Sequence, residues 1–316
     1  MALARRPLGS SGIEVTELSL GSWRTYERIP RERGIAVMKK AREIGINFLD
    51  DARYNDETGT ASIKSGYSEV VFGELFRATG WKRHEVVLAN KLWWEFWPAE
   101  KAAAELDGSL TRMGMDYIDL AYAERPPEGL GMEEIVHDIG GLIRSGKLRA
   151  WGVLNWSADL LVEAARVAAD QGVQLPCAAQ LPYSLARHSP VEDPDVIEAL
   201  DACEARVVAS FTLEGGALTG KYLVPDAAGR FTTWPDEADE DAARVAVELR
   251  AFAAAHSASS AALAIAFPLL NPHVATVLFG ATSPEQVREN AKAVEVLAGL
   301  DERTIDGLRA IGLPAA

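Results

Sequence analysis

The sequence has little cysteine and no long apolar run, and these two absences bound its environment. Only Cys177 and Cys203 occur in 316 residues, in a spacing typical of neither a metal site nor a disulfide framework. We expect both to be buried thiols in a reducing compartment. The first residues lack the apolar core of a secretory signal, and the stretch LAIAFPLL (263–270) is too short to span a membrane. The cytoplasm is the expected location, with no membrane contact.

Positive charge is also scarce, because 32 lysines and arginines face 46 acidic residues and give a net charge of −14. Non-specific nucleic-acid binding depends on lysine and arginine contacts with phosphates, so the composition argues against a nucleic-acid partner. Hydrophobic residues make up 48% of the chain, which excludes a largely disordered protein. We expect a soluble globular protein whose copies repel one another.

Apolar, strand-like segments recur eight times along the chain, and helical patterns follow them. Several of these segments are apolar throughout, as parallel strands buried on both faces should be. The eight segments span residues 16–22, 46–50, 85–92, 117–123, 148–155, 177–183, 206–211 and 275–281. Eight such units predict an α/β fold, a (β/α)₈ TIM barrel forming one domain over residues 1–316. A doubly wound sheet is the alternative, but no G-x-G-x-x-G follows the first strand.

Two segments do not fit the repeat. Residues 5–15 predict an N-terminal β-hairpin that turns around Gly9 and Gly12. Residues 221–242, after the seventh strand, are rich in Pro, Gly and Asp and predict a long loop. Such loops are usually functional or disordered, so this one is either a lid over a ligand or plain disorder. At the helix starts, Ser68 and Ser157 are the predicted N-caps.

Polar side chains follow the predicted strands at the end where a barrel carries its active site. The strand-end residues are Gly21, Ser22, Trp23, Asp50, Asp51, Lys91, Glu124, Asn155, Gln180, Ser210, Phe211 and Gly280. Any one of them alone is more often a solvated strand end than a catalytic group. Their convergence on one mouth is what indicates a site.

Lys91 is the most informative of these residues, because it interrupts the apolar run VVLANKLWW. A lysine in such a place is rarely buried without a partner, and Asp50 at the end of the preceding strand is the expected one. A lysine held beside Tyr54 would lower the pKa of the phenol from about 10. Asp50, Lys91 and Tyr54 together therefore predict a general acid.

Five segments resemble a known family when they are taken in order. PLGSSGIEVTELSLGSW, GINFLDDA, ANKLWW, LTGKY and GATSPEQVREN are similar to segments of the aldo-keto reductases, which are NADP(H)-dependent (β/α)₈ barrels. The chain looks closest to the branch that contains voltage-gated potassium-channel β subunits. The order and spacing of the segments, which cover nearly the whole chain, make the resemblance specific.

The resemblance implies roles for the charged strand ends. Asp50 and Lys91 match the aspartate and lysine of the family's catalytic tetrad, and Tyr54 is the implied proton donor. The family tyrosine stands one residue later, where this chain has Asn55, and Tyr67 is a weaker rival donor.

At the fourth strand of the repeat, Glu124 stands where the family usually has histidine and the channel-subunit branch has asparagine. A glutamate there is associated with steroid C=C reduction in the family. The alternative is that Glu124 only hydrogen-bonds a loop.

The resemblance also implies a nicotinamide cofactor, with NADP(H) expected over NAD(H). Asn155 and Gln180 match the amide side chains that hold the nicotinamide, and Gln286 stands where other branches place an arginine on the 2′-phosphate. The implied cofactor-binding residues are Gly21, Ser22, Trp23, Asp50, Asn155, Gln180, Ser210, Phe211, Thr212, Leu213, Lys221, Arg230, Gly280, Thr282, Gln286, Glu289 and Asn290.

The aromatic stretch LWWEFWP (92–98) follows Lys91 and is either a substrate wall or a helix-packing patch. Taken together, the residues and the resemblance predict an NADPH-dependent reductase of small aldehydes or ketones. Two alternatives stay open. One is an enone C=C reductase that uses Glu124, and the other is a non-catalytic NADP(H)-binding regulatory subunit. Assembly into a homo-oligomer is left open.

Overall fold

A closed barrel of eight parallel strands forms the centre of the molecule, as predicted. The computed structural model describes residues 2–56, 58–59, 61–223 and 239–313. The strands are β1 (Arg5–Pro7), β2 (Glu14–Thr16), β3 (Leu18–Gly21), β4 (Phe48–Asp50), β5 (Val87–Leu92), β6 (Ile118–Ala123), β7 (Leu148–Leu154), β8 (Ala178–Pro182), β9 (Arg206–Ser210) and β10 (Val274–Phe279). Strands β3 to β10 follow one another around the barrel, and β10 pairs with β3 to close it.

The barrel strands are apolar because side chains on both of their faces are buried. Every residue of β5 and of β6 is buried. One face packs outward against helices, and the other fills the interior with side chains that include Phe48, Leu120, Tyr122 and Ala150. The barrel is therefore a packed core rather than a pore, as in other barrels of this size.

The predicted N-terminal hairpin is also present and seals one end of the barrel. Strands β1 and β2 pair antiparallel, with Arg5 opposite Thr16. Leu8 and Ile13 belong to the same buried cluster as the barrel interior. Gly9 has a positive φ of 57°, and a Cβ there would lie 2.4 Å from the carbonyl oxygen of Cys177. Only glycine fits this turn, because both the conformation and the space exclude a side chain.

The helices form an outer layer around the barrel. Their bounds are α1 (Arg31–Ile44), α2 (Tyr67–Thr79), α3 (Ala102–Met113), α4 (Met132–Arg144), α5 (Ala158–Gln171), α6 (Ser189–Glu192), α7 (Pro194–Ala202), α8 (Asp239–Ala255), α9 (Ser260–Leu269), α10 (Pro284–Ala291), α11 (Ala293–Gly299) and α12 (Glu302–Ala310). Consecutive helices α1 to α5 pack on one another, and α10 returns to α1.

The two predicted N-caps had different outcomes. Ser157 caps α5 by accepting a hydrogen bond from the backbone N–H of Leu160. The prediction for Ser68 was wrong, because α2 begins at Tyr67 and its N-cap is Gly66 in a left-handed conformation. Ser68 lies inside the first turn, and its hydroxyl bonds the loop after β4 instead.

Two helices between β9 and β10 were missed by the sequence analysis. Helices α8 and α9 follow the predicted long loop, and residues 262–269 of α9 are all buried. Among the described residues, no single helix is long and apolar enough to cross a membrane. Helices α8 and α9 together have the length and composition of a span, but they are bent by 100° relative to one another. Most of the predicted loop, including Arg230, lies outside the described residues.

Candidate active site

A buried ion pair stands at the barrel mouth, where β4 and β5 end. The Lys91 ammonium donates a hydrogen bond of 2.6 Å to Asp50 Oδ1 and one of 3.3 Å to the carbonyl oxygen of Asp51. Each side chain of the pair is only 3% exposed. The amide nitrogen of Gln180 donates to Asp50 Oδ2 at 3.0 Å, so both carboxylate oxygens have partners. The structure therefore brings together three of the predicted residues, Asp50, Lys91 and Gln180. The charges of Asp50 and Lys91 compensate one another, because burial of either charge alone would be unfavourable.

Tyr54 lies half-buried beside this pair. The Lys91 nitrogen is 5.7 Å from the centre of its ring, and the Trp93 ring meets it edge-on at 6.0 Å. Its backbone N–H donates to the Ala52 carbonyl oxygen and to the Ser68 hydroxyl, at 2.8 and 3.2 Å. Ser68 thus fixes the loop that presents the tyrosine, even though this loop is one residue shorter than the family pattern leads us to expect.

The predicted lowering of the Tyr54 pKa was wrong. Burial raises the pKa of the Tyr54 phenol well above its usual value, and the carboxylates of Asp50 and Asp51 raise this pKa further. At neutral pH the phenol is therefore protonated and able to donate a proton.

Asp51 is fully buried behind the ion pair. Its carboxylate accepts a hydrogen bond from the Ser22 hydroxyl. Burial raises the pKa of Asp51 well above its usual value, and the nearby buried carboxylate of Glu69 adds to this. The hydrogen bond from Ser22, the backbone N–H of Ala52 and the charge of Lys91 act in the opposite direction.

Tyr122 is a residue at this site that the sequence analysis missed. It is fully buried inside the barrel, with the Lys91 nitrogen 5.6 Å from its ring centre. Burial and the Asp50 carboxylate raise the pKa of its phenol well above the usual value. The signal that could have found it is the alternation of β6, which directs Leu120 and Tyr122 to the same inner face.

Glu124 follows β6 directly and is half-buried at the mouth. Burial raises the pKa of its carboxyl, while the backbone N–H and the charge of Arg125, and then the charge of Lys91, act in the opposite direction. The carboxylate accepts a hydrogen bond of 3.1 Å from that N–H. The Arg125 side chain donates to the Asn155 carbonyl oxygen at 2.7 Å, which links the ends of β6 and β7.

Both predicted roles, a substrate wall and a helix-packing patch, occur within the aromatic stretch after Lys91. Trp93 faces Tyr54, as a substrate wall would. Trp94 belongs to the hydrophobic core under the helices, as a packing patch would. Phe96 is 48% exposed and Trp97 is half-buried, so the outer part of the stretch lies on the rim.

A second aromatic pair lies elsewhere on the mouth, where β3 and β9 end. The rings of Trp23 and Phe211 are 5.4 Å apart. Phe211 and Asn155 both have left-handed backbone conformations, with φ of 55° and 54°. Such conformations are uncommon away from glycine, and they cluster at ligand sites, where surrounding structure holds them. The Asn155 N–H donates to the Gln180 carbonyl oxygen at 3.0 Å, which fixes the two predicted amide residues side by side.

The predicted pyrophosphate segment forms a tight turn after β9. Ser210 and Thr212 are buried, and Leu213 precedes a 3-10 helix over Glu214–Thr219. Gly215 and Gly216 within that helix have positive φ. The ammonium of Lys221 lies 4.6 Å from the centre of the Tyr222 ring, and the predicted companion Arg230 is outside the described residues.

The predicted adenosine end is the start of α10, beyond Gly280 at the end of β10. Gln286 is bound within the chain, since its side-chain oxygen accepts from the backbone N–H and hydroxyl of Thr282 at 2.7 and 3.1 Å. Glu289 forms an ion pair of 2.7 Å with Lys292. Asn290 is buried.

Comparison with known proteins agrees with the fold. Residues 17–312 match the model of the Aldo/keto reductase family. Similar proteins include a "Probable voltage-gated potassium channel subunit beta" of Oryza sativa subsp. japonica, 31% identical over 96% of this chain and 95% of that protein. A "Putative voltage-gated potassium channel subunit beta" of Schizosaccharomyces pombe is 33% identical over 92% and 88%. One of Arabidopsis thaliana is 29% identical over 96% and 95%. The chain belongs to the aldo/keto reductase family of oxidoreductases.

Proposed function

We propose that this oxidoreductase uses NADP(H) to reduce aldehydes or ketones, with Tyr54 as the general acid. The observation that carries the proposal is the position of Tyr54 next to the buried Asp50–Lys91 pair, with the Lys91 nitrogen 5.7 Å from the centre of its ring. A protonated phenol at the edge of a water-poor mouth is suited to donate a hydrogen bond, and then a proton, to a carbonyl oxygen.

The residues at the strand ends fit a nicotinamide cofactor. Asn155 is held in a left-handed conformation beside Gln180, and two amide side chains at this place can bind a carboxamide. The two glycines at 215 and 216 leave the backbone turn without side chains, which allows close approach of phosphate oxygens. When bound, the cofactor supplies a hydride to the carbonyl carbon.

The chain's own residues supply the proton and stabilise the negative charge that its transfer leaves behind. The carbonyl oxygen takes its proton from the Tyr54 hydroxyl, which leaves a phenolate. Lys91 stabilises this phenolate from behind the ring, and Asp50 holds Lys91 in place. The Trp93 ring meets the Tyr54 ring edge-on and limits access of water to it.

Replacement of the tyrosine tests the proposal. We expect Tyr54→Phe to lower kcat for NADPH-dependent aldehyde reduction by about 10²- to 10⁴-fold, the range of general acid catalysis. Tyr67→Phe is the matched control, because the Tyr67 hydroxyl accepts a hydrogen bond of 3.0 Å from Arg31. If only the Tyr67 variant lost activity, Tyr67 would be the proton donor and our assignment of Tyr54 would be wrong.

Glu124 favours a second candidate activity, the reduction of enone C=C bonds. Its carboxyl is half-buried and its pKa is raised by burial, so the neutral form persists to higher pH than in an exposed glutamate. A neutral carboxyl donates a hydrogen bond to an enone carbonyl, which increases the electrophilicity of the β-carbon toward hydride.

The names of the relatives, which are voltage-gated potassium channel β subunits, favour a third candidate, a channel-type regulatory subunit. In this candidate function the chain would bind NADP(H) without turning over a substrate. Oxidation of NADPH in the presence of a panel of aldehydes and ketones separates this candidate from a reductase. Tight NADPH binding without turnover of any compound would favour the subunit. Cytoplasmic location and self-association are further proposals, for which cell fractionation and sedimentation are the tests.

A further inference from the structure

Arg53 is a buried cation directly before Tyr54 on the loop after β4. Its guanidinium side chain is only 4% exposed. The carboxylates of Glu95, Glu100 and Glu105 lie 3.5, 3.4 and 3.5 Å from it. It also lies over the Phe96 ring, 4.9 Å from the ring centre. One arginine thus holds three carboxylates and an aromatic ring.

All of these partners lie between the end of β5 and the first turn of α3, in the same segment of the chain as Trp93 and Trp94. Glu105, in α3, accepts hydrogen bonds from the backbone N–H groups of Trp93 and Trp94 at 2.7 and 3.1 Å. The contacts therefore form a closed path. Tyr54 is covalently next to Arg53, Arg53 pairs with Glu105, Glu105 holds Trp93, and the Trp93 ring returns to Tyr54.

The hydrogen bonding of Arg53 is poor for a buried arginine. It donates one bond of 3.4 Å to Glu100, and its buried Nε and Nη2 atoms have no hydrogen-bond partner among the described residues. Buried donors without a hydrogen bond are unfavourable and rare in folded proteins, so each one calls for an explanation. What Arg53 provides is charge, because without it the three carboxylates would repel one another.

We infer that Arg53 is a positioning residue that fixes the Trp93 wall relative to Tyr54, and through it the place of the substrate carbonyl. The inference rests on the proposed reductase function for its effect on turnover. Without the guanidinium charge, Glu95, Glu100 and Glu105 separate, and the backbone of Trp93 follows Glu105 away from Tyr54.

Kinetics of matched variants test the effect on turnover. We expect Arg53→Met to lower kcat/KM by about 10²-fold, as a displacement of about 1 Å at an active site does, with most of the loss in kcat. NADPH affinity should stay within about twofold, because no cofactor residue is in the path described above. Arg53→Lys retains the charge and should recover part of kcat.

The control is Arg83→Met, which removes a cation paired to the buried Asp119 at 2.6 Å just before β5 begins, at the opposite end of that strand. This variant should be less stable but keep kcat/KM. An equal loss of kcat in both arginine variants would reduce Arg53 to a structural role and overturn the inference.

A measurement independent of activity separates this inference from the proposed function. In protein labelled with 5-fluorotryptophan, the Trp93 ¹⁹F resonance is assigned by its absence in Trp93→Phe. We expect it to shift in Arg53→Met, to return toward the wild-type position in Arg53→Lys, and to stay in place in Arg83→Met. If Arg53→Met does not fold, Glu105→Gln serves in its place and should shift the same resonance. An unmoved Trp93 resonance overturns the inference, whereas a wild-type protein without reductase activity overturns only the proposed function.

Discussion

At the scale of single residues, the Asp50–Lys91 pair shows how burial and charge define the site together. Both side chains are nearly inaccessible, and their contact of 2.6 Å is supported by Gln180. A buried pair of this kind contributes little net stability, but loss of one partner leaves an uncompensated charge. Its position next to Tyr54 is better explained by chemistry than by folding.

The first residue-scale prediction concerns Lys91→Met, which keeps the length of the side chain and removes its charge. We expect turnover to fall by orders of magnitude, because the Tyr54 phenolate loses its stabilising cation. The barrel should still form, with a free energy of unfolding lowered by about 3–5 kcal/mol by the unpaired Asp50. Steady-state kinetics and circular dichroism measure the two effects.

Lys40→Met is the control for that variant, since Lys40 pairs with the exposed Glu43 on α1, away from the mouth. It should change neither property measurably. A Lys91→Met protein with a near-normal rate would exclude the assigned role.

The second residue-scale prediction concerns Glu124 and pH. Its raised pKa means that the neutral, hydrogen-bond-donating form persists above the usual pH range of a glutamate and is lost as pH rises through that pKa. We therefore expect enone C=C reduction to decline with rising pH in the wild type. In Glu124→His the product should shift toward carbonyl reduction.

Product analysis by chromatography at several pH values tests this prediction. Glu124→Gln is the control, because it keeps an N–H donor that does not titrate, and its product ratio should be independent of pH. Absence of saturated ketone in every variant would leave Glu124 with only its hydrogen bond to Arg125.

At the scale of elements, α2 and α3 can pack closely only because Gly73 of α2 has no side chain. A Cβ at Gly73 would lie 2.2 Å from the carbonyl oxygen of Met113, the last residue of α3. Backbone cannot move away as a flexible side chain can, so Gly73→Ala must separate the two helices. We expect it to lower the free energy of unfolding by about 1–3 kcal/mol, the usual cost of overpacking.

Urea unfolding measures this change, with Gly108→Ala on α3 as the control. A Cβ at Gly108 would meet only the flexible Arg112 side chain, at 3.1 Å. Because alanine favours helix over glycine, the control should be neutral or gain up to about 1 kcal/mol. Equal behaviour of the two variants would contradict the close-contact explanation.

The start of α2 shows where element-scale prediction from sequence fails. A serine before an apolar helical pattern usually caps the helix, yet here Gly66 is the cap and Ser68 bonds Ala52 and Tyr54. Local sequence cannot reveal this difference, because the competing hydrogen-bond partner lies on a loop 14 to 16 residues earlier.

At the scale of the whole molecule, cofactor binding should stabilise the folded barrel. A ligand that binds only the folded state adds about 2.7 kcal/mol at about 100 times its Kd. We expect a larger rise in Tm with NADPH than with NADH at equal concentration, since NADP(H) is the proposed cofactor. Differential scanning fluorimetry measures both, with adenosine as the control for weak binding of the base alone. A larger rise in Tm with NADH would contradict the proposed preference for NADP(H).

The sequence by itself determined the strand repeat, the barrel, the hairpin and the placement of Asp50, Lys91 and Glu124 at strand ends. These follow from short-range periodicity and from the rule that the ends of parallel strands meet at one mouth. Helix α9 was missed because an apolar helix that is buried on all sides lacks an amphipathic period.

Only the tertiary structure decided what those residues experience. The raised pKa of Tyr54 and the three carboxylates around Arg53 both depend on distances between segments far apart in the chain. Electrostatic energies vary with burial and with the nearest opposite charge, and neither is written in local sequence. The sequence therefore placed the charged groups at the mouth, while packing set their protonation and their partners.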